Sequence, residues 1–244
     1  MDILFNAFLL SIVLVGIHSF FGMEILKRGI IFTDLAIGQM AALGAAVSLF
    51  FFEGDFLYPI SLGFAFLGAF VIALAAKIER LSEAFIGLIY AFGLSTVFLI
   101  LSKSPHGMED FQRFLANDLL FVSLKEISQT TGIYVLIGIA LYVSGKFFKH
   151  LGREVSFFLL FAITVTSSVK LAGVLVVFAL LVAPALVSLM TAPRYNLLWA
   201  WIYGILVNLL GVVISYKLDL PTGYTLVSLH SFLAALVFLW KGMV

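Results

Sequence analysis

The sequence predicts an all-α fold: a polytopic membrane helix bundle with eight to nine transmembrane helices. Three observations lead there. Of its 244 residues, 63% are hydrophobic and only 11% charged, whereas soluble domains run near half apolar and a quarter charged. Mean hydropathy is +1.19. The apolar residues gather into runs of about 20, the length a helix needs to cross about 30 Å of hydrocarbon. No linker or low-complexity segment divides the chain, so 1–244 reads as a single transmembrane domain.

Composition also excludes function classes. A net charge of +1 leaves no nucleic-acid footprint. The absence of cysteine removes disulfides and thiolate metal sites. No GxxxxGK loop and no HExxH pair occurs, so neither P-loop ATP binding nor metalloprotease chemistry is supported.

Taken in order, the first run is 3–22. It opens MDILFNAFLL, with an acid where a secretory signal carries Lys or Arg, and is expected to be retained as a span. The second, 31–52, is rich in small residues (Gly38, Ala41, Ala42, Gly44, Ala45, Ala46), as tight helix contacts require. The third and fourth are 56–77 and 84–103. The one long loop, Ser104 to Thr130, contains MEDFQRFLANDLLFV. Its apolar positions Phe111, Phe114, Leu115, Leu119 and Phe121 suit an amphipathic helix at the interface or over the bundle's mouth.

The remaining runs are 131–149, 155–170, 173–191, 196–216 and 224–241. The 155–170 run is the weakest, and a re-entrant or merged reading of it gives eight spans instead of nine. Ser167 and Ser168, followed by Lys170, place a polar patch between two apolar runs and suit a tight turn or re-entrant corner. Pro184 is expected to kink its span. Asp219, Pro221 and Gly223 read as a turn in which proline fixes φ and glycine permits the reversal. With nine spans, the loops carrying Lys27, Arg28, Lys77, Arg80, Lys146, Lys149, Arg153 and Arg194 are cytoplasmic, and the N-terminus is outside.

Few residues could carry chemistry. Asp34, just inside the second span, is an ionisable group among apolar neighbours, and such groups usually face a cavity or a partner. Its alternative reading is a helix-start acid, with Thr33 and Asp34 at the N-cap. Gln39 follows five residues on. His18, late in the first span, is a candidate ligand or a histidine satisfied by a carbonyl; Glu24, six residues on, is off its face. His230 reads the same way with less weight, and His106 and His150 read as solvated loop residues.

Three stretches, Arg28–Gly44 (RGIIFTDLAIGQMAALG), Gly173–Ala185 (GVLVVFALLVAPA) and Gly211–Gly223 (GVVISYKLDLPTG), resemble the permease subunits of bacterial ABC importers for zinc, manganese and iron. Phe114–Ser123 (FLANDLLFVS) is a weaker match. The resemblance implies a homodimeric channel in the plasma (inner) membrane, surrounded by membrane lipid. A separate cytoplasmic ATP-binding subunit would drive it, and an extracytoplasmic metal-binding protein would load it. It implies no enzyme activity and no cofactor bound by this chain; the divalent metal ion is cargo, and ATP is used by the partner.

The family's second span commonly carries Asp followed four residues later by His. Asp34 matches the acid, but Gly38 stands where the His would be and Gln39 follows. The resemblance therefore points to Asp34, Gln39 and His18 as candidate metal-meeting residues, without a zinc site built on that histidine. The cytoplasmic docking segment is shortened to GKFFKHLGREV, leaving Lys149, Gly152, Arg153 and Glu154 for the ATPase. The competing class is an ion-coupled secondary transporter, which would show repeated halves and interrupted helices; no convincing repeat is visible. An intramembrane enzyme would need paired catalytic groups within spans, and only isolated candidates occur.

Overall fold

The computed structural model describes residues 2–76, 81–104, 107, 109, 111, 119–147, 151–192 and 196–243. Among them, nine helices are long and apolar enough to cross a membrane. They are α1 (Asp2–Arg28), α2 (Thr33–Phe52), α3 (Leu57–Ala75), α4 (Ser82–Leu101), α5 (Leu124–Phe147), α6 (Leu151–Ala172), α7 (Val174–Thr191), α8 (Asn196–Leu218) and α9 (Thr222–Met243). The eight-span alternative falls away here. The short run becomes the 22-residue helix α6, separated from α7 by Gly173 at φ +83, a backbone state that favours glycine.

The chain forms two compact units. The first comprises Met1–Gly29, Asn117–Tyr134 and Leu171–Val244; the second comprises Ile30–Ala116 and Val135–Lys170. In the first unit α1, α7, α8 and α9 pack on one another. Small residues set how close they come. A Cβ on Gly22 of α1 would lie 1.9 Å from the Leu181 carbonyl oxygen of α7, so the two backbones touch there. Gly204 of α8 fits between Val15 and Pro184, its would-be Cβ 2.7 Å from Val15 Cγ1 and 3.4 Å from Pro184 Cγ. Trp201 adds an indole N–H donated to the Gly16 carbonyl at 3.0 Å.

In the second unit α2 is central and packs on α3 and α4. Its small residues allow this: a Cβ on Gly44 would sit 2.7 Å from the Ile60 carbonyl oxygen and from Ser61 Cα. Gly68 and Gly93 play the reciprocal part on α3 and α4, against Met40 and Gln39. Ala42, Leu43, Ala45 and Ala46 then form a core with Val97, Leu101 and Phe111.

Four local expectations are corrected. Ser167 and Ser168 form no turn; they lie within α6, both hydroxyls donated back to the Thr164 carbonyl at 2.9 and 2.6 Å. The reversal before α9 rests on Asp219 at φ +52, not on Gly223. Gly223 is helical, its would-be Cβ 3.3 Å from Val176 Cγ2. The long loop ends earlier than expected, because Ser123 and Glu126 close a reciprocal cap on α5. The Ser123 N–H and hydroxyl donate to Glu126 Oε2 at 3.0 and 2.7 Å, and the Glu126 N–H donates to Ser123 Oγ at 3.3 Å. Of the expected amphipathic stripe, Phe111 and Leu119 are buried but Phe121 is 79% exposed; Phe114 and Leu115 lie outside the described residues.

Candidate cation site on the second helix

Helix α2 begins without a side-chain cap. Its N-cap is Phe32, and the Phe32 N–H donates to Glu83 Oε1 at the start of α4, at 3.2 Å. Thr33 turns its hydroxyl back to the Ile30 carbonyl at 2.7 Å. Neither Thr33 nor Asp34 is therefore the N-cap. Asp34 lies inside the first turn, where the helix dipole favours an anion. It is 2% exposed, and its Oδ1 has no hydrogen-bond partner among the described residues. A buried carboxylate oxygen without a donor is expensive. Glu83 Oε2 is in the same condition. Two carboxylates thus attend one helix start, each with an uncompensated oxygen.

Gln39 does not share a face of α2 with Asp34. Gln39 is five residues on, about 140° around the helix, and it packs on α4, where a Cβ on Gly93 would meet the Gln39 Cβ at 3.1 Å. Gly38 shares the Asp34 face but offers no donor. His18 belongs to the other unit. Its Nδ1–H donates to the Leu14 carbonyl at 2.8 Å, and its ring meets Tyr134 edge-on at 6.4 Å. That carbonyl lies one turn back in the same helix, α1. No group of three or more His, Cys, Asp or Glu side chains that could hold a metal occurs among the described residues. Gly152, Arg153 and Glu154 form the first turn of α6, with Gly152 and Arg153 exposed; Lys149, His106 and His150 lie outside the described residues.

His230 takes part in a polar chain the sequence did not reveal. Asn208 Nδ2 donates to the Ser11 carbonyl at 3.3 Å, which leaves Asn208 Oδ1 as an acceptor 2.8 Å from His230 Nε2. The histidine therefore carries its proton on Nε2. The Tyr203 hydroxyl donates to the His230 carbonyl at 3.3 Å. This chain ties α1, α8 and α9 together and reads as structural. His230→Ala would strand the buried Asn208 Oδ1, and a loss of about 1–2 kcal/mol is expected. A thermal melt of the detergent-solubilised variant reads it directly, and transport at a permissive temperature should survive.

The profile of the ABC 3 transport family matches residues 1–152 and 152–241. A protein of Haemophilus influenzae named a probable iron transport system membrane protein is 26% identical over 98% of this chain and 90% of its own length. A Thermotoga maritima protein named a probable metal transport system membrane protein is 28% identical over 73% of this chain and 70% of its own. Among solved structures, a chain of PsaBC from Streptococcus pneumoniae in complex with Fab superposes with a TM-score of 0.75 at 18% identity, covering 98% of this chain and 91% of that one. The likeness to that structure establishes a shared fold.

Proposed function

The chain belongs to the ABC 3 transport family, and on that premise we propose that it is the permease of an ATP-driven importer for divalent metal ions. The chain is a multi-pass membrane protein and not an enzyme. The observation that carries the cargo assignment is Asp34: an acid buried inside a span, with one oxygen unpartnered among the described residues, in a chain whose relatives are named for iron and metal transport.

In this reading 1–244 is one permease domain of the inner membrane, and two copies form the pathway. Asp34 receives the ion as it crosses. Because Gly38 supplies no imidazole one turn on, the local donors are oxygens, which suit manganese(II) better than a site built for zinc. Gln39 and His18 are secondary candidates, weakened by the packing of the one and the carbonyl bond of the other. ATP is consumed by a separate cytoplasmic subunit, with Gly152, Arg153 and Glu154, together with Lys149, as its docking residues. An extracytoplasmic binding protein delivers the ion.

The test is to purify the tagged chain from its own host in mild detergent and identify what comes with it. A stoichiometric ATP-binding subunit is expected. A clean preparation that also yields no ATPase after crosslinking would displace this reading in favour of an ion-coupled carrier.

A further inference from the structure

Helices α2, α3 and α4 pack on one another, and only two charged residues stand on them, Asp34 and Glu83. Both are acids. None of the three helices carries a Lys or Arg, and neither acid is in an ion pair among the described residues. An acid among apolar helices is ordinarily offset by a partner or a polar cavity. Here the packed group holds two negative charges and no counter-charge of its own.

The two acids meet at one place in the fold. Asp34 lies in the first turn of α2 and Glu83 in the first turn of α4. The Phe32 N–H, two residues or about 3 Å of helix rise before Asp34, donates to Glu83 Oε1 at 3.2 Å. Two helix starts therefore converge, and the positive end of each dipole favours an anion. Each acid keeps one oxygen, Asp34 Oδ1 and Glu83 Oε2, buried and without a hydrogen-bond partner among the described residues.

Capping alone does not account for Glu83. The cap uses Oε1, and a glutamine oxygen would accept the same N–H without leaving a second, charged oxygen desolvated. Asp34, 2% exposed, bears the same cost. One divalent cation offsets both at once, because its two charges match the two that the three helices leave uncompensated.

We propose that Glu83 is the second acid of the cation site. Its Oε1 holds the first turn of α2, and with it Asp34, in place; its charge adds to that of Asp34 in attracting a divalent cation. Glu83 is thus a positioning residue that also supplies charge. This rests on the cation-transport reading above and adds a residue from another helix to the same site.

The test measures thermal stabilisation of the purified full-length chain, with whatever subunits accompany it in mild detergent, against manganese(II) concentration. A ligand of the folded state raises the melting temperature by mass action, so the half-saturating concentration reports affinity. Glu83→Gln keeps a cap acceptor and loses the charge. Its melt without metal should match the wild type, while its half-saturating manganese(II) concentration should rise about 10-fold. Glu83→Asp keeps the charge on a shorter arm; it should melt lower without metal and stay within about 3-fold of wild-type half-saturation. In cells, Glu83→Gln should raise the KM for manganese(II) uptake about 10-fold and leave the maximal rate within about 2-fold, a split that a merely structural defect would not give.

Wild-type half-saturation in Glu83→Gln would leave Glu83 only as a cap and overturn the proposal. An equal rise in Glu83→Asp would also overturn it, because charge would then not be the cause. Asp34→Asn decides the premise separately. If manganese(II) stabilises that variant as well as it does the wild type, the ion does not meet Asp34, whatever Glu83 does. No stabilisation of the wild type removes the cation site altogether.

Discussion

Asp34→Asn is expected to abolish metal uptake, by about 100-fold or more, while leaving the protein inserted and as thermally stable as before. The two halves of that expectation come from one observation. Asp34 Oδ1 is buried and, among the described residues, unpartnered, so the folded protein gains no hydrogen bond through that oxygen and bears its uncompensated desolvation. The amide keeps the shape, removes the charge and relieves part of that penalty. For a divalent cation in a low-dielectric span, the same change deletes the only full negative charge on the Gly38 face of α2. A loss of 100-fold corresponds to about 2.8 kcal/mol, modest for such a charge.

A capping aspartate would behave in the opposite way, since its loss typically costs about 1 kcal/mol of stability and leaves transport intact in the surviving protein. Uptake of manganese(II) or iron(II) in cells lacking the native gene, paired with a melt of the purified variant, separates the two. Normal uptake removes Asp34 from the pathway.

This residue also marks how far sequence carries. An acid inside an apolar run is visible at once, because the cost of charge in lipid is a property of the residue itself. What surrounds it is not visible. Elsewhere on three other helices, only packing reveals that Glu83 Oε2, Ser61 Oγ and Thr166 Oγ1 lack hydrogen-bond partners among the described residues. Ser61 and Thr166 in particular look like ordinary helix hydroxyls until neighbouring Ser167 and Ser168 are seen to back-bond while they do not.

The helices themselves were legible from hydropathy, and their ends less so. The sequence at the α5 start reads as loop because polar residues outnumber apolar ones there. Yet Ser123 and Glu126 stand at the S-x-x-E spacing that closes a cap, a signal present in the sequence. Glycine's conformational freedom points to Gly223 for the reversal before α9. Tertiary contact decided otherwise: glycine is needed there for closeness to Val176, and Asp219 takes the positive φ. Both cases have the same physical origin, in that a small or polar residue serves either backbone geometry or packing, and its neighbours in space choose.

Gly22 is the position where that choice is most severe. No property of the local sequence VGIHSFFGMEIL distinguishes Gly22 from Gly16, yet a Cβ on Gly16 would meet nothing within 4 Å and one on Gly22 would lie 1.9 Å from the Leu181 carbonyl oxygen and 2.9 Å from its carbon. The obstructing atoms are backbone, so no rotamer change relieves them; α1 and α7 must separate. That separation would also loosen Gly204, which is fitted between Val15 of α1 and Pro184 of α7. Overpacking of a well-filled core costs about 1–3 kcal/mol even where side chains can adjust, and here they cannot.

Gly22→Leu is therefore expected to yield no folded protein, and Gly22→Ala only a small fraction of the wild-type monodisperse peak on size exclusion in detergent. Gly16→Ala is the matched control and should behave as wild type, with Gly16 retaining the carbonyl that accepts the Trp201 indole. Equal yields from Gly22→Ala and Gly16→Ala would mean that the α1–α7 contact is not the close backbone crossing on which the first unit is built.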